Sequence, residues 1–153
     1  MARNNSRNWR KGVIKNKKRA EAQALPISNG VDITRTIRGT VPSIPFEDIA
    51  REILSERYVL SLVLCGDALA RRINRAYRKK TYAANVLSFP LAEYEGEIFL
   101  NIRKAQREAV ALKIPARTRI AHLFTHGCFH LKGLRHGSTM DALEEKALEK
   151  SGF

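Results

Sequence analysis

The chain's 153 residues are the size of one ordinary domain, and a hydrophobic content of 44% is enough for a single buried core. No apolar run approaches the ~18 residues that span a bilayer, and the start lacks the apolar stretch of a secretory signal, so neither a membrane partner nor a leader is expected. The 28 Lys and Arg against 15 Asp and Glu set a net charge of +13, and the excess sits at one end. Residues 1–20 hold eight cations (Arg3, Arg7, Arg10, Lys11, Lys15, Lys17, Lys18 and Arg19) and no acid, which leaves +5 for the remainder. Nucleic acid is the commonest partner for such a charge, and a tail that only aids solubility is the plain alternative. Two cysteines, Cys65 and Cys128, are too few for a disulfide framework and fit a reducing cytoplasm.

Residues 1–29 are rich in Asn, Arg and Lys, end in Pro26-Ile27-Ser28-Asn29, and read as a basic, disordered N-terminal arm ahead of one domain over 30–153. Val31, Ile33, Arg35 and Ile37 alternate with polar residues, as in a strand with one buried face. Phe46, Ile49, Ala50, Ile53 and Leu54 recur at helical spacing, with Pro45 suited to the first turn. Tyr58–Leu64 is a short, mainly apolar run and predicts an interior strand. Asp67 is placed to cap a helix that turns Leu69, Ile73 and Tyr77 inward and Arg71, Arg72 and Arg75 outward. Val86–Leu91 and Glu97–Asn101 predict a hairpin, and a helix carrying Ala105, Ala109 and Leu112 follows. The longest helix begins near Pro115 and runs to about Leu131, where Gly133 stops it. Ser138 and Asp141 resemble a capping pair for a last helix ending at Ser151-Gly152. These elements predict a small mixed sheet of about four strands packed with about five helices, in an α/β or α+β domain.

Three of the four histidines share one predicted helix, at 122, 126 and 130, and the fourth is His136. Residues four apart stay on one helix face and advance about 6 Å along the axis, so His126 and His130 can grip one ion between consecutive turns. His122 and His130 are about 12 Å apart on that geometry, too far to share a short coordination sphere. Gly133 can take the left-handed conformation that turns the chain back and brings His136 in as third ligand. Three imidazoles leave a fourth position for water, whose pKa a zinc ion lowers towards ~7, so the pattern points to hydrolysis. Closed structural sites use four protein ligands, and Cys128 points off the histidine face.

The spacing His126-x3-His130-x2-Gly133-x2-His136 is that of the metzincin proteases, but Gly127 stands where those proteases carry their glutamate base. The stretch His126-Gly127-Cys128-Phe129-His130-Leu131-Lys132-Gly133-Leu134-Arg135-His136 instead resembles the HGxxHLxGxxH signature of the YbeY family, bacterial endoribonucleases of ribosomal RNA maturation. Ile73-Asn74-Arg75-Ala76-Tyr77-Arg78-Lys79-Lys80 followed by Asn85-Val86-Leu87-Ser88-Phe89-Pro90 is similar to the family's LNxxYRxK and (D/N)VLSFP blocks. Glu95-Gly96-Glu97-Ile98 is similar to the GDI strand that follows them. Arg135 replaces the Asp common before the third histidine, and Ala83-Ala84 replace the usual Pro-Thr.

The resemblance implies a zincin-like α+β fold with the metal site at a helix end. It also implies a zinc-dependent, single-strand-specific endoribonuclease acting in ribosomal RNA maturation and ribosome quality control. One Zn2+ would be held by His126, His130 and His136, with ribosomal RNA and the small ribosomal subunit as partners. Arg78 is the candidate catalytic cation, because a guanidinium grips phosphate oxygens as a fork. Asn85 and Ser88 are candidate substrate contacts lining the cleft. A zincin-like metalloprotease and a non-catalytic, metal-stabilised ribosome-associated factor are the alternatives.

Overall fold

The computed structural model describes residues 30–153, so the expected basic arm over 1–29 lies outside the described residues. The chain runs β1 (Val31–Arg35), α1 (Phe46–Ile53), β2 (Val59–Cys65), α2 (Asp67–Arg78), β3 (Val86–Ala92), β4 (Glu95–Asn101), α3 (Ile102–Leu112), α4 (Ala116–Leu131) and α5 (Ser138–Lys150). Four strands and five helices among the described residues match the expected α+β domain. The sheet order is β1-β2-β4-β3, with β1, β2 and β4 parallel and β3 antiparallel to β4. The hairpin forms as the sequence predicts, but β4 inserts beside β2 and pushes β3 to the edge. Glu95 and Gly96, expected in the connection, belong to β4 and pair with Val59 and Leu60.

Side-chain alternation divides the core between the two faces of this sheet. Leu60, Leu62 and Leu64 of β2 join Ile98 and Leu100 of β4 on one face, under α1, α3, α4 and α5. Val63, Cys65 and Phe99 turn to the other face, where α2 covers them with Ala70 and Ile73. A strand covered on both sides needs no polar alternation, which is why Tyr58–Leu64 reads as one mainly apolar run. The helix α4 is central: Ile120, Ala121, Phe124, Cys128 and Phe129 are buried, and it packs against α1, α3, α5, β3 and β4. Phe124 meets Phe46 of α1 edge-on with ring centroids 4.8 Å apart. Burying a side chain of that size contributes roughly 1.5–3 kcal/mol, so α4 is anchored chiefly by its apolar face.

Four local expectations are corrected. The edge strand β1 has no well-buried face: only Val31 packs on the core, and Ile33 is exposed. Tyr77 and Leu112 are also exposed, because each helix is covered by the sheet or a neighbour over a narrower stripe than its apolar residues suggest. Asp67 does not cap α2. It is that helix's first residue, and its carboxylate takes two hydrogen bonds from the Arg107 guanidinium at 2.8 and 2.9 Å and one from Asn101 Nδ2 at 2.9 Å. Those donors hold the Asp67 carboxyl below its ordinary range. Ser138 and Asp141 likewise make no side-chain cap on α5. Asn101 caps α3 instead, its Oδ1 accepting from the Lys104 N–H at 3.1 Å, while its Nδ2 also donates to the Ala84 carbonyl.

Candidate metal centre

The C-terminal half of α4 carries two of the histidines and then stops in a defined way. Gly133 adopts φ +95°, a left-handed conformation that costs a glycine little. The Leu134 N–H donates to the Phe129 carbonyl at 3.1 Å and the Gly133 N–H to the His130 carbonyl at 3.0 Å, the paired bonds of a Schellman ending. Leu134 packs against the core cluster that holds Phe129, so the turn is pinned on its apolar side as well. The chain then reverses and delivers His136.

His126, His130 and His136 converge, with one potential ligand nitrogen from each lying within 4.8 Å of the others. Nε2 of His126 is 3.0 Å from Nε2 of His130, close to the separation of about 3.3 Å that two imidazoles on one tetrahedral ion require. The three ring centroids lie 4.5–4.7 Å apart. His122, as expected from its distance along the helix, is not part of this group.

Two of the three rings are oriented from behind. Nδ1 of His130 donates to the Leu134 carbonyl at 3.1 Å, so the turn that ends α4 also points its last histidine. Nδ1 of His126 lies 2.6 Å from Oε1 of Glu144, and the pairing assigns the ring proton to Nδ1 and leaves Nε2 free to bind. Glu144 comes from α5, is only 5% exposed, and has His122 on its second oxygen at 3.6 Å. A carboxylate behind a metal-binding imidazole fixes its tautomer and raises its basicity. Position 135, where the Asp common before the third histidine would stand, holds Arg135, so that position supplies no carboxylate. Glu144 stands eighteen positions beyond His126 on a different helix, and its only sequence signal is an acidic residue on the face of α5 that also buries Met140 and Ala147.

The electrostatics suit a cation ligand set. Burial, followed by the neighbouring His136, holds the His126 imidazole below its ordinary pKa; burial and His126 do the same to His130. Neutral rings at neutral pH are the form that donates a lone pair to a metal. Burial pushes the Glu144 carboxyl up, and the nearby His122 pulls it back. Three converging imidazoles, His126 and His130 part-buried and His136 exposed, with the outer nitrogens of the first two satisfied, fit one metal ion.

The histidines sit on the wall of a cleft of about 550 Å³ that is also lined by Asn74, Arg78, Tyr82, Asn85, Ser88 and Lys104. Arg78 ends α2, with its guanidinium carbon 6.0 Å from the Phe89 ring centroid. Asn85 and Ser88 reach the cleft but have local ties. Asn85 donates to Glu108 at 3.1 Å and accepts from the Val86 N–H at 2.8 Å, and Glu108 is in turn paired with Arg119. Ser88 Oγ donates to the Gly127 carbonyl at 3.0 Å and so ties β3 to α4. Gly127 itself is closely packed: a Cβ there would lie 3.0 Å from Ser88 Oγ and 3.2 Å from both Ile98 and Val86, so those side chains would have to give by a few tenths of an ångström. Sequence reasoning passed over Tyr82 and Lys104, which carry no motif of their own and meet at the cleft because Lys104 of α3 reaches the segment ahead of β3.

A histidine pair one turn apart on a central helix, with a third histidine returned by a glycine turn onto an α+β core, defines a zincin-like metal-binding protein. The sequence comparisons narrow that class. Residues 31–152 match the family described as Endoribonuclease YbeY. A protein of Ehrlichia canis named Endoribonuclease YbeY is 35% identical over 105 residues, which cover 62% of this chain and 68% of that one. One of the same name from Aromatoleum aromaticum is 40% identical over 93 residues, covering 59% of this chain and 60% of the relative. The solution structure of TM1509 from Thermotoga maritima has the same fold, with a TM-score of 0.56 at 20% identity over 79% of this chain and 88% of that one. The chain belongs to the endoribonuclease YbeY family.

Proposed function

We propose that this protein is a zinc-dependent endoribonuclease that cuts single-stranded RNA, with ribosomal RNA of the small subunit as its substrate in the cytoplasm. The observation that carries the reading is the three-histidine centre opening into a cleft that also holds Arg78. His126, His130 and His136 would hold the ion, whose chemistry there is that of a Lewis acid beside a scissile phosphate. No carboxylate lines the cleft among the described residues, so a polyanion meets no repulsion on its floor. Arg78 offers a fork of donors to the non-bridging phosphate oxygens, which gather charge as the phosphorus is attacked. The nucleophile is water or the substrate's own 2′-hydroxyl. Behind His126 the site is closed by the buried Glu144 of α5.

The peptidase alternative asks for a general base beside the ligands. Position 127 is where such a base would stand, and it holds a glycine packed closely against Val86 and Ser88 of β3 and Ile98 of β4. Sequence-independent attraction to phosphates is assigned to the basic arm over residues 1–29. The test is cleavage of purified ribosomal RNA by the zinc-loaded chain beside Arg78→Ala and His130→Ala. Arg78→Ala should cut about a hundredfold more slowly with its metal content unchanged, the usual loss for one charged stabiliser of a transition state. His130→Ala should lose both metal and activity. Equal cleavage by Arg78→Ala would remove Arg78 from the mechanism, and cleavage by a metal-free His130→Ala would remove the metal.

A further inference from the structure

Tyr82 lies on the segment between α2 and β3, with its ring 57% exposed at the lip of the cleft that holds the three histidines. A single exposed aromatic is ordinary on a protein surface; Tyr82 is set apart by its place on the wall of the cleft and by the cation held against its ring. Its backbone is not loose. The fully buried Asn74 donates from Nδ2 to the Tyr82 carbonyl at 2.9 Å, and the neighbouring Ala83 and Ala84 are buried. Lys104 reaches over from α3, donates to the Ala83 carbonyl at 2.6 Å, and places its ammonium 5.5 Å from the centre of the Tyr82 ring. The ring is therefore held at its base and flanked by a cation with no carboxylate partner among the described residues. An open aromatic face, an uncompensated ammonium beside it, and a second cation, Arg78, on the same cleft form one surface suited to a flat group next to a phosphate.

We propose that Tyr82 is a stacking platform for an unpaired nucleobase of the substrate strand, with the Lys104 ammonium taking the phosphate that adjoins it. The proposal rests on the endoribonuclease reading and adds to it a physical source of single-strand preference. A base can lie on an aromatic ring only after it has left its pairing partner and neighbouring stack, which a loop or single strand does at little cost and a duplex does not. Stacking is tolerant of base identity, so the site selects for an unpaired nucleotide rather than for a sequence. The exposure of Tyr82 also means that its ring can be removed without opening the core.

The test is the affinity of the full, zinc-loaded chain for a short fluorescein-labelled oligoadenylate, for its duplex with oligouridylate, and for versions with one abasic position moved along the strand. Tyr82→Ala should weaken single-strand binding about ten- to a hundredfold, while Tyr82→Phe stays within about twofold of the parent and the duplex is unaffected by either. One abasic position should bring the parent down to the level of Tyr82→Ala and leave Tyr82→Ala itself unchanged. Metal content of both variants, read by elemental analysis, should equal the parent's. The platform is refuted if Tyr82→Ala binds like the parent, if Phe and Ala lose affinity alike, or if no abasic position mimics the loss. Any of these in a parent that still cuts RNA overturns the platform alone. A parent that neither binds nor cuts single-stranded RNA overturns the endoribonuclease reading and the platform with it.

Discussion

Replacing Glu144 with glutamine keeps the length and shape of the side chain and takes away the charge that faces Nδ1 of His126. The wild-type contact is short, 2.6 Å, and nearly dry, since Glu144 is only 5% exposed. Glutamine can still accept from the ring N–H through its own Oε1, so tautomer and orientation survive and only the charge assistance is lost. Alanine removes both, leaving a buried ring N–H unpaired and the imidazole free to turn about its bond to Cβ. Carboxylates in this position are worth about ten- to a hundredfold in metal affinity. The glutamine variant should sit at the lower bound and the alanine variant at the upper, about 1.4 and 2.8 kcal/mol respectively at 1.4 kcal/mol per tenfold. Competition for zinc against a chromophoric chelator measures this directly. Thermal unfolding of the metal-free proteins separates it from any loss of fold. A Glu144→Ala protein that unfolds like the parent and binds zinc equally well would show that the carboxylate behind His126 does not tune the site.

Three other outcomes are expected. Purified protein should carry close to one equivalent of zinc or a similar metal, lost on His126→Ala or His136→Ala and largely kept on His122→Ala, which elemental analysis will show; a metal-free His122→Ala beside a loaded His136→Ala would overturn the ligand set. Introducing the protease residue by Gly127→Glu should destabilise the domain by about 2 kcal/mol, several degrees in Tm, because the new side chain overpacks Ser88, Ile98 and Val86, and it should create no activity on casein. Deleting residues 1–29 should weaken RNA binding strongly at low salt and flatten its salt dependence, because eight cations in twenty residues act mainly by releasing counterions. Identical slopes with and without the arm would mean that it does not touch RNA.

Much of the candidate site could be read from the sequence because it is local. His126 and His130 are one helical turn apart, and Gly133 and His136 follow within six residues, so helix geometry and one left-handed glycine are enough to bring the three imidazoles together. The apolar run of β2 and the spacing of Phe46, Ile49 and Ile53 were legible for the same reason: a period of two or of 3.6 residues is written in consecutive positions. Asn85 and Ser88 were legible as cleft residues only through their place in a family block, and their ties to Glu108 and Gly127 were not legible at all.

What tertiary structure decided lies between elements. The order β1-β2-β4-β3 sets which strands meet, and no periodicity carries that information. Asp67 looked like a helix cap because its nearest backbone donors are local; it serves instead as the acceptor for Arg107 and Asn101, which arrive only once α2 and α3 are packed on the sheet. Glu144 reaches His126 from another helix, and Tyr82 meets Lys104 across two elements. The spacing of ligands along one helix is set by covalent geometry and hydrogen bonds a few residues long. The groups that orient those ligands, and those that would meet a substrate, come from distant positions, and only the burial of the shared apolar core brings them together.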